Sequence, residues 1–181
     1  MVRRAITVLL LAAMASAPAF AETNVYAGLR VGSNLDGRFD DAGGKLDTDT
    51  PFGGYLGWNI NPNLAIEFAA TNLGSSQRSD IADGGFDVDG ALYQLGVVGS
   101  FPLSDQFNLL AGVGGFRLNE DGDGSSIAGP ISVDFGDTGV YAEVGGRFQL
   151  NPQWALRASY TWFDFESGSD GNFWGGVELK F

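Results

Sequence analysis

Apolar residues recur at every second position along this chain, in eight separate stretches of roughly ten residues, the length of a tilted strand crossing a bilayer. From Asn24 to Gly32 the apolar parity is Val25, Ala27, Leu29 and Val31, and from Phe52 to Ile60 it is Phe52, Leu56, Trp58 and Ile60. Leu64 to Asn72 carries Leu64, Ile66, Phe68 and Ala70, and Gly90 to Phe101 carries Ala91, Tyr93, Leu95, Val97 and Phe101. Phe107 to Phe116 shows Phe107, Leu109, Ala111 and Val113, while Gly139 to Leu150 shows Val140, Ala142, Val144, Phe148 and Leu150. Trp154 to Phe163 shows Trp154, Leu156, Ala158, Tyr160 and Trp162. The last stretch alternates up to the final residue, with Phe173, Gly175, Val177, Leu179 and Phe181 against Trp174, Gly176, Glu178 and Lys180. A period of two sustained in this way predicts eight half-apolar β-strands.

The connections alternate in length. Asn61-Pro62-Asn63, Pro102 to Gln106 and Asn151-Pro152-Gln153 read as tight turns, built from residues that favour them. Ser33 to Pro51, Leu73 to Asp89, Arg117 to Thr138 and Asp164 to Gly171 read as long loops. Short turns at one end and long loops at the other are expected of an eight-stranded antiparallel up-and-down transmembrane barrel. Trp58, Phe101, Phe107, Phe148, Trp154 and Phe181 fall at the turn end of the apolar parity, and Phe52, Trp162 and Phe173 at the loop end. These are the two aromatic girdles of a membrane barrel. Arg30, Glu67, Glu143, Arg147, Arg157, Glu178 and Lys180 all fall on the polar parity. A charge on the lipid face near mid-membrane costs about 2–4 kcal/mol, which is why they sort to one side. A lipocalin-like soluble barrel would use the same alternation inside out. The polar parity here is mostly Gly, Ala, Ser, Thr, Asn and Tyr, too bare of charge for a surface facing water.

The amino terminus fits an export leader over residues 1–21: Arg3 and Arg4, an apolar Ala5 to Ala15, then the small-x-small site Ala19-Phe20-Ala21. The barrel is then residues 22–181. Losing Arg3 and Arg4 takes the net charge from −12 to −14, a sign that repels nucleic acid. With no cysteine, the chain offers neither a disulfide framework nor a thiolate metal site. With no histidine, it lacks the usual base that activates a serine, so no catalytic residue and no cofactor are assigned.

The chain resembles the transmembrane domain of OmpA-type outer-membrane barrels. The likeness is carried by Phe52-Gly53-Gly54-Tyr55, Asn61-Pro62 and Ile66-Glu67-Phe68, and then by Pro102-Leu103-Ser104-Asp105 and Gly114-Gly115-Phe116-Arg117. Ala155-Leu156-Arg157-Ala158-Ser159-Tyr160-Thr161-Trp162 continues it. The resemblance implies a Gram-negative outer-membrane location without the peptidoglycan-binding domain that many members append. It implies that Glu67 and Arg157 form a central luminal salt bridge. Val98 stands where the family has a lysine and Arg147 where it has a glutamate, with Glu143 nearby to offset the reversed sign.

Two sets of charges are candidates for chemistry. The seven inward charges, four positive and three negative, are expected either to plug a lumen just wide enough for side chains or to gate a proton or ion path. The loops hold most of the acid, including Asp36, Asp47, Asp80, Asp89, Glu120, Asp134, Asp164 and Glu166. Asn119-x-Asp121-x-Asp123-Gly124 imitates half a calcium loop, but Pro130 stands where the twelfth-position glutamate belongs, so no metal site is assigned. The glycines of Gly112-x-Gly114-Gly115 relieve crowding within a strand rather than cradle a phosphate. The expected partners are outer-membrane lipid and lipopolysaccharide, the barrel-assembly machinery through the strand ending at Phe181, and an extracellular ligand of the acidic loops. The chain is expected to be a monomer with an envelope-integrity role, or else a narrow conduit.

Overall fold

Eight times the alternating segments extend into strands, and the turns between them are held by their own side chains. Asn61 Oδ1 accepts from the Asn63 amide at 2.9 Å, and Asn151 Oδ1 accepts from the amides of Gln153 and Trp154, each at 2.9 Å. Ser104 Oγ accepts from the Phe107 amide at 3.0 Å. These are the local hydrogen bonds for which Asn and Ser are favoured in turns.

The computed structural model describes residues 24–33, 47–48, 50–78, 86–126, 129–165 and 168–181. The leader assigned to residues 1–21 lies outside these residues, as do Asp36, Asp80 and Glu166. The strands are β1 (Val25–Gly32), β2 (Phe52–Asn61), β3 (Leu64–Arg78), β4 (Phe86–Pro102), β5 (Phe107–Ser126), β6 (Gly129–Gln149), β7 (Trp154–Phe165) and β8 (Gly168–Lys180). Each pairs antiparallel with the next, and β1 pairs with β8 from Tyr26↔Lys180 to Gly32↔Trp174. That last ladder closes the sheet into an eight-stranded barrel and leaves no edge in the membrane.

The parity assignments fix what faces where. Leu95 is 59 % exposed and Trp162 57 %, and Phe52, Trp58, Phe101 and Phe173 are exposed on the same outer face. None of the described residues covers this apolar belt, so hydrocarbon is its solvent. Inside, Tyr26 and Tyr55 lie opposite Gly57 and Gly28. A Cβ on either glycine would overlap the facing ring, so the glycines are what allow two tyrosines into so narrow a lumen.

The loop end departs from the sequence expectation. Much of Leu73 to Asp89 and Arg117 to Thr138, read as loop, is strand: β3 runs on to Arg78, β4 starts at Phe86, and β5 and β6 stay paired to Ser126↔Gly129. Above the membrane the apolar alternation is no longer required, but strands already in register can go on pairing, so the ladder outlasts the pattern that announced it. Asp47–Thr48 adds a short pairing to β3. The register shifts between Asn72 and Gly74, where Gly74 adopts φ +84° and donates its amide to Asn72 Oδ1 at 2.7 Å. Leu73, the extra residue at this bulge, continues the inward parity of Glu67, Ala69 and Thr71 and packs against the apolar cluster at the loop end of the lumen.

Candidate functional site

Strands β1, β3, β6, β7 and β8 deliver the inward charges, and the structure stacks them in levels. At the turn end, Arg147 Nε lies 3.0 Å from Glu178 Oε1, with its guanidinium over the Tyr26 ring at 5.0 Å. At the centre, Arg157 forks between two carboxylates. Its Nη1 donates to Glu67 Oε2 at 2.6 Å, and its Nη2 donates to Glu67 Oε1 at 3.2 Å and to Glu143 Oε1 at 2.7 Å. Tyr26 donates its hydroxyl to Glu67 Oε2 at 2.9 Å, and the Tyr55 ring lies 4.8 Å from the Arg157 guanidinium. Tyr55 reaches Glu178 Oε2 at 3.4 Å, joining the two levels.

Above them, Arg30 donates to Thr71 Oγ1 at 2.7 Å and to Gln94 Oε1, and lies 4.2 Å over the Trp174 ring. Each of these three arginines rests on an aromatic face; acceptors engage the forks of Arg157 and Arg30, and Arg147 meets Glu178 through Nε, contacts that make a desolvated guanidinium tolerable. Glu67, Glu143, Glu178, Arg30 and Arg157 are all buried. Only a residual space of about 10 Å³ is left among Arg30, Glu143, Arg157 and Trp174.

Two expectations need correction. Lys180 is exposed at the turn-end mouth rather than enclosed, so the enclosed charges are three arginines against three glutamates instead of four against three. Strand β8 ends there, and an ammonium gains more from water than from a lumen already neutral. Glu143 does not compensate for Arg147: it turns to Arg157, and Glu178 takes Arg147 instead. Phe181 sits half-buried at the seam, its amide donating to Val25 O at 3.1 Å.

The loop-end half of the lumen is apolar, which the alternation alone did not announce. Leu92, Phe116, Leu118, Tyr141, Phe163 and Phe165 form one buried cluster, with Leu73 packed against it. The Phe116 ring meets those of Phe163 and Phe165 edge-on at 5.2 and 4.8 Å. The signal was present: continuing the parity of Arg157, Ser159 and Thr161 by two more steps reaches Phe163 and Phe165. Just beneath this cap, Thr161 and Asn172 face each other across β7 and β8. Thr161 Oγ1 and both amide atoms of Asn172 are buried without a hydrogen-bond partner among the described residues.

A barrel with an apolar belt outside, a neutralised charge core inside and all strands closed within one chain is matched by known proteins. The outer membrane protein beta-barrel domain family matches residues 7–181. The chain belongs to that family. A curated relative, outer membrane protein A of Yersinia pseudotuberculosis, is 27 % identical over 135 residues, which cover 69 % of this chain; the chain spans 38 % of that relative's length. The N-terminal β-barrel domain of Pseudomonas aeruginosa OprF superposes with a TM-score of 0.63 at 12 % identity, over 88 % of this chain and 98 % of that one. Ail, the attachment invasion locus protein of Yersinia pestis, gives 0.55 at 16 %, over 87 % and 96 %. At these identities the structural likeness is one of fold. The protein is thus an outer-membrane barrel of Gram-negative type.

Proposed function

We propose that this barrel acts as a sealed, monomeric scaffold that contributes to envelope integrity and holds acidic, strand-extended loops at the cell surface. The observation carrying this reading is the double closure of the lumen, with the Arg157 fork on Glu67 and Glu143 below and the Phe116–Phe163–Phe165 cap above. Neither layer leaves room for a hydrated ion, and eight strands enclose little space to begin with. No catalytic step, cofactor or metal enters this account. Closure of every membrane edge within one chain supports the monomer. The outer apolar belt and its girdles make lipid and lipopolysaccharide the surrounding partners, and the strand ending at Phe181 is the segment offered to the assembly machinery. Ail is described as an attachment protein; by analogy the acidic ribbons here would engage a partner, and their sign favours a basic one.

A second reading, a narrow conduit, draws on the unpartnered Thr161 and Asn172, the place where water would first enter the lumen. Planar-bilayer recording separates the two. The sealed scaffold gives a silent membrane; stable unitary steps that disappear in a Phe163→Trp variant would replace it with the conduit.

A further inference from the structure

The lumen is sealed at its centre and its loop end, but not at its turn end. There the barrel opens into a cup of about 550 Å³, within the size range of small-molecule sites. The chain as a whole carries 22 acids against 10 bases. The lining of this cup reverses that balance, with Arg147 and Lys180 against the single carboxylate of Glu178.

Arg147 is held for recognition rather than left to swing. Its Nε faces Glu178 and its plane lies on Tyr26. Arg147 lines the cup itself, so its guanidinium is reachable from there. The Lys180 backbone is anchored at the rim, its amide donating to Gln153 O at 2.8 Å, and its side chain is exposed at the mouth. Between the two cations the wall presents Asn59, Ser100 and Asn108, half-buried side chains that make no hydrogen bond to the described residues. Gln149, by contrast, spends its amide nitrogen on Asn151 O and Trp154 O. A guanidinium held against Tyr26 and a rim ammonium, flanked by amide and hydroxyl groups in a concave wall, make a receptor for an oxyanion on a polar body.

We propose that this periplasm-facing cup binds a small polar ligand bearing a carboxylate or phosphate group, with Arg147 and Lys180 holding the oxyanion. The site shares Arg147 and Glu178 with the turn-end level of the charge stack but not the Arg157 fork or the apolar cap that close the lumen, and the scaffold reading stands or falls without it.

The test titrates isotopically labelled protein, refolded in lipid nanodiscs at fixed ionic strength, with inorganic phosphate in one arm and acetate in the other. Nuclear magnetic resonance follows the amide and side-chain signals. Saturable shifts confined to Asn59, Ser100, Asn108, Arg147 and Lys180 are expected, and the arm that saturates names the ligand class. Lys180 is exposed, so Lys180→Gln keeps the strand pairing and should weaken binding roughly tenfold. Arg147→Gln combined with Glu178→Gln, which leaves no buried charge unpaired, should abolish saturation. Shifts that stay linear in both arms throughout the titration, or saturation unchanged by these substitutions, overturn the proposal.

Discussion

Arg157 is the residue on which the interior depends most. It alone neutralises two buried carboxylates, and its loss leaves Glu67 and Glu143 facing each other without a counter-charge. Arg157→Ala should therefore cost about 3–5 kcal/mol, read from urea unfolding in lipid vesicles. A cycle adding Glu67→Ala should give a coupling energy above about 1 kcal/mol, and zero coupling would remove the pair from this account. The glycines allow a sharper comparison. Gly57→Val would drive a side chain into the Tyr26 ring and should prevent folding or cost at least about 1–3 kcal/mol. Gly175→Val, on the outer face with open space around it, should leave heat-modifiable gel mobility unchanged. Parity alone told which charges turn inward, because that depends only on neighbours in sequence. It could not tell which charges meet. Arg157 and Glu67 are 90 positions apart, and their contact follows from strand order and stagger rather than from local pattern. The resemblance to OmpA-type barrels supplied that pair, but Arg147 with Glu178 has no such guide.

Among the elements, the four strands β3 to β6 were legible only as far as the membrane reaches. Val97, Leu95 and Tyr93 announce β4, whereas Asp87 and Asp89 do not, although both lie in the ladder. In register, Asp87 stands opposite Asp123, and Asp89 opposite Asp121, which itself stands opposite Asp134. Like charges at paired register positions disfavour pairing, so this register predicts a weaker ladder in the β4–β5–β6 ribbon than at membrane level. Its amides should exchange with solvent several-fold more slowly when ionic strength rises from about 0.01 to 0.15 M, since the screening length falls from about 30 to 8 Å. Membrane-level amides such as those of Val144 and Leu156 should not respond. Equal response at both levels would mean that the acidic register is not what weakens the ribbon. The bulge at Gly74 was equally hidden, because glycine at a strand end reads as a loop signal when no partner strand is in view.

The molecule as a whole is two surfaces turned opposite ways, an apolar belt outward and a neutral charge core inward. Three arginines balance three glutamates in charge, and each arginine lies on a tyrosine or tryptophan, which lowers the cost of holding these charges inside. That balance became visible only when Lys180 was found outside it. Because the chain has no cysteine, single labelling sites can be introduced cleanly to test which face meets lipid. A fluorophore on Leu95→Cys, Val113→Cys or Leu156→Cys should be strongly quenched by brominated acyl chains, and one on Ser159→Cys should be quenched neither by bromolipid nor by aqueous iodide. Quenching of the first three sites by iodide rather than bromolipid, in a protein that stays dispersed without detergent, would contradict the assignment of the apolar parity to the membrane.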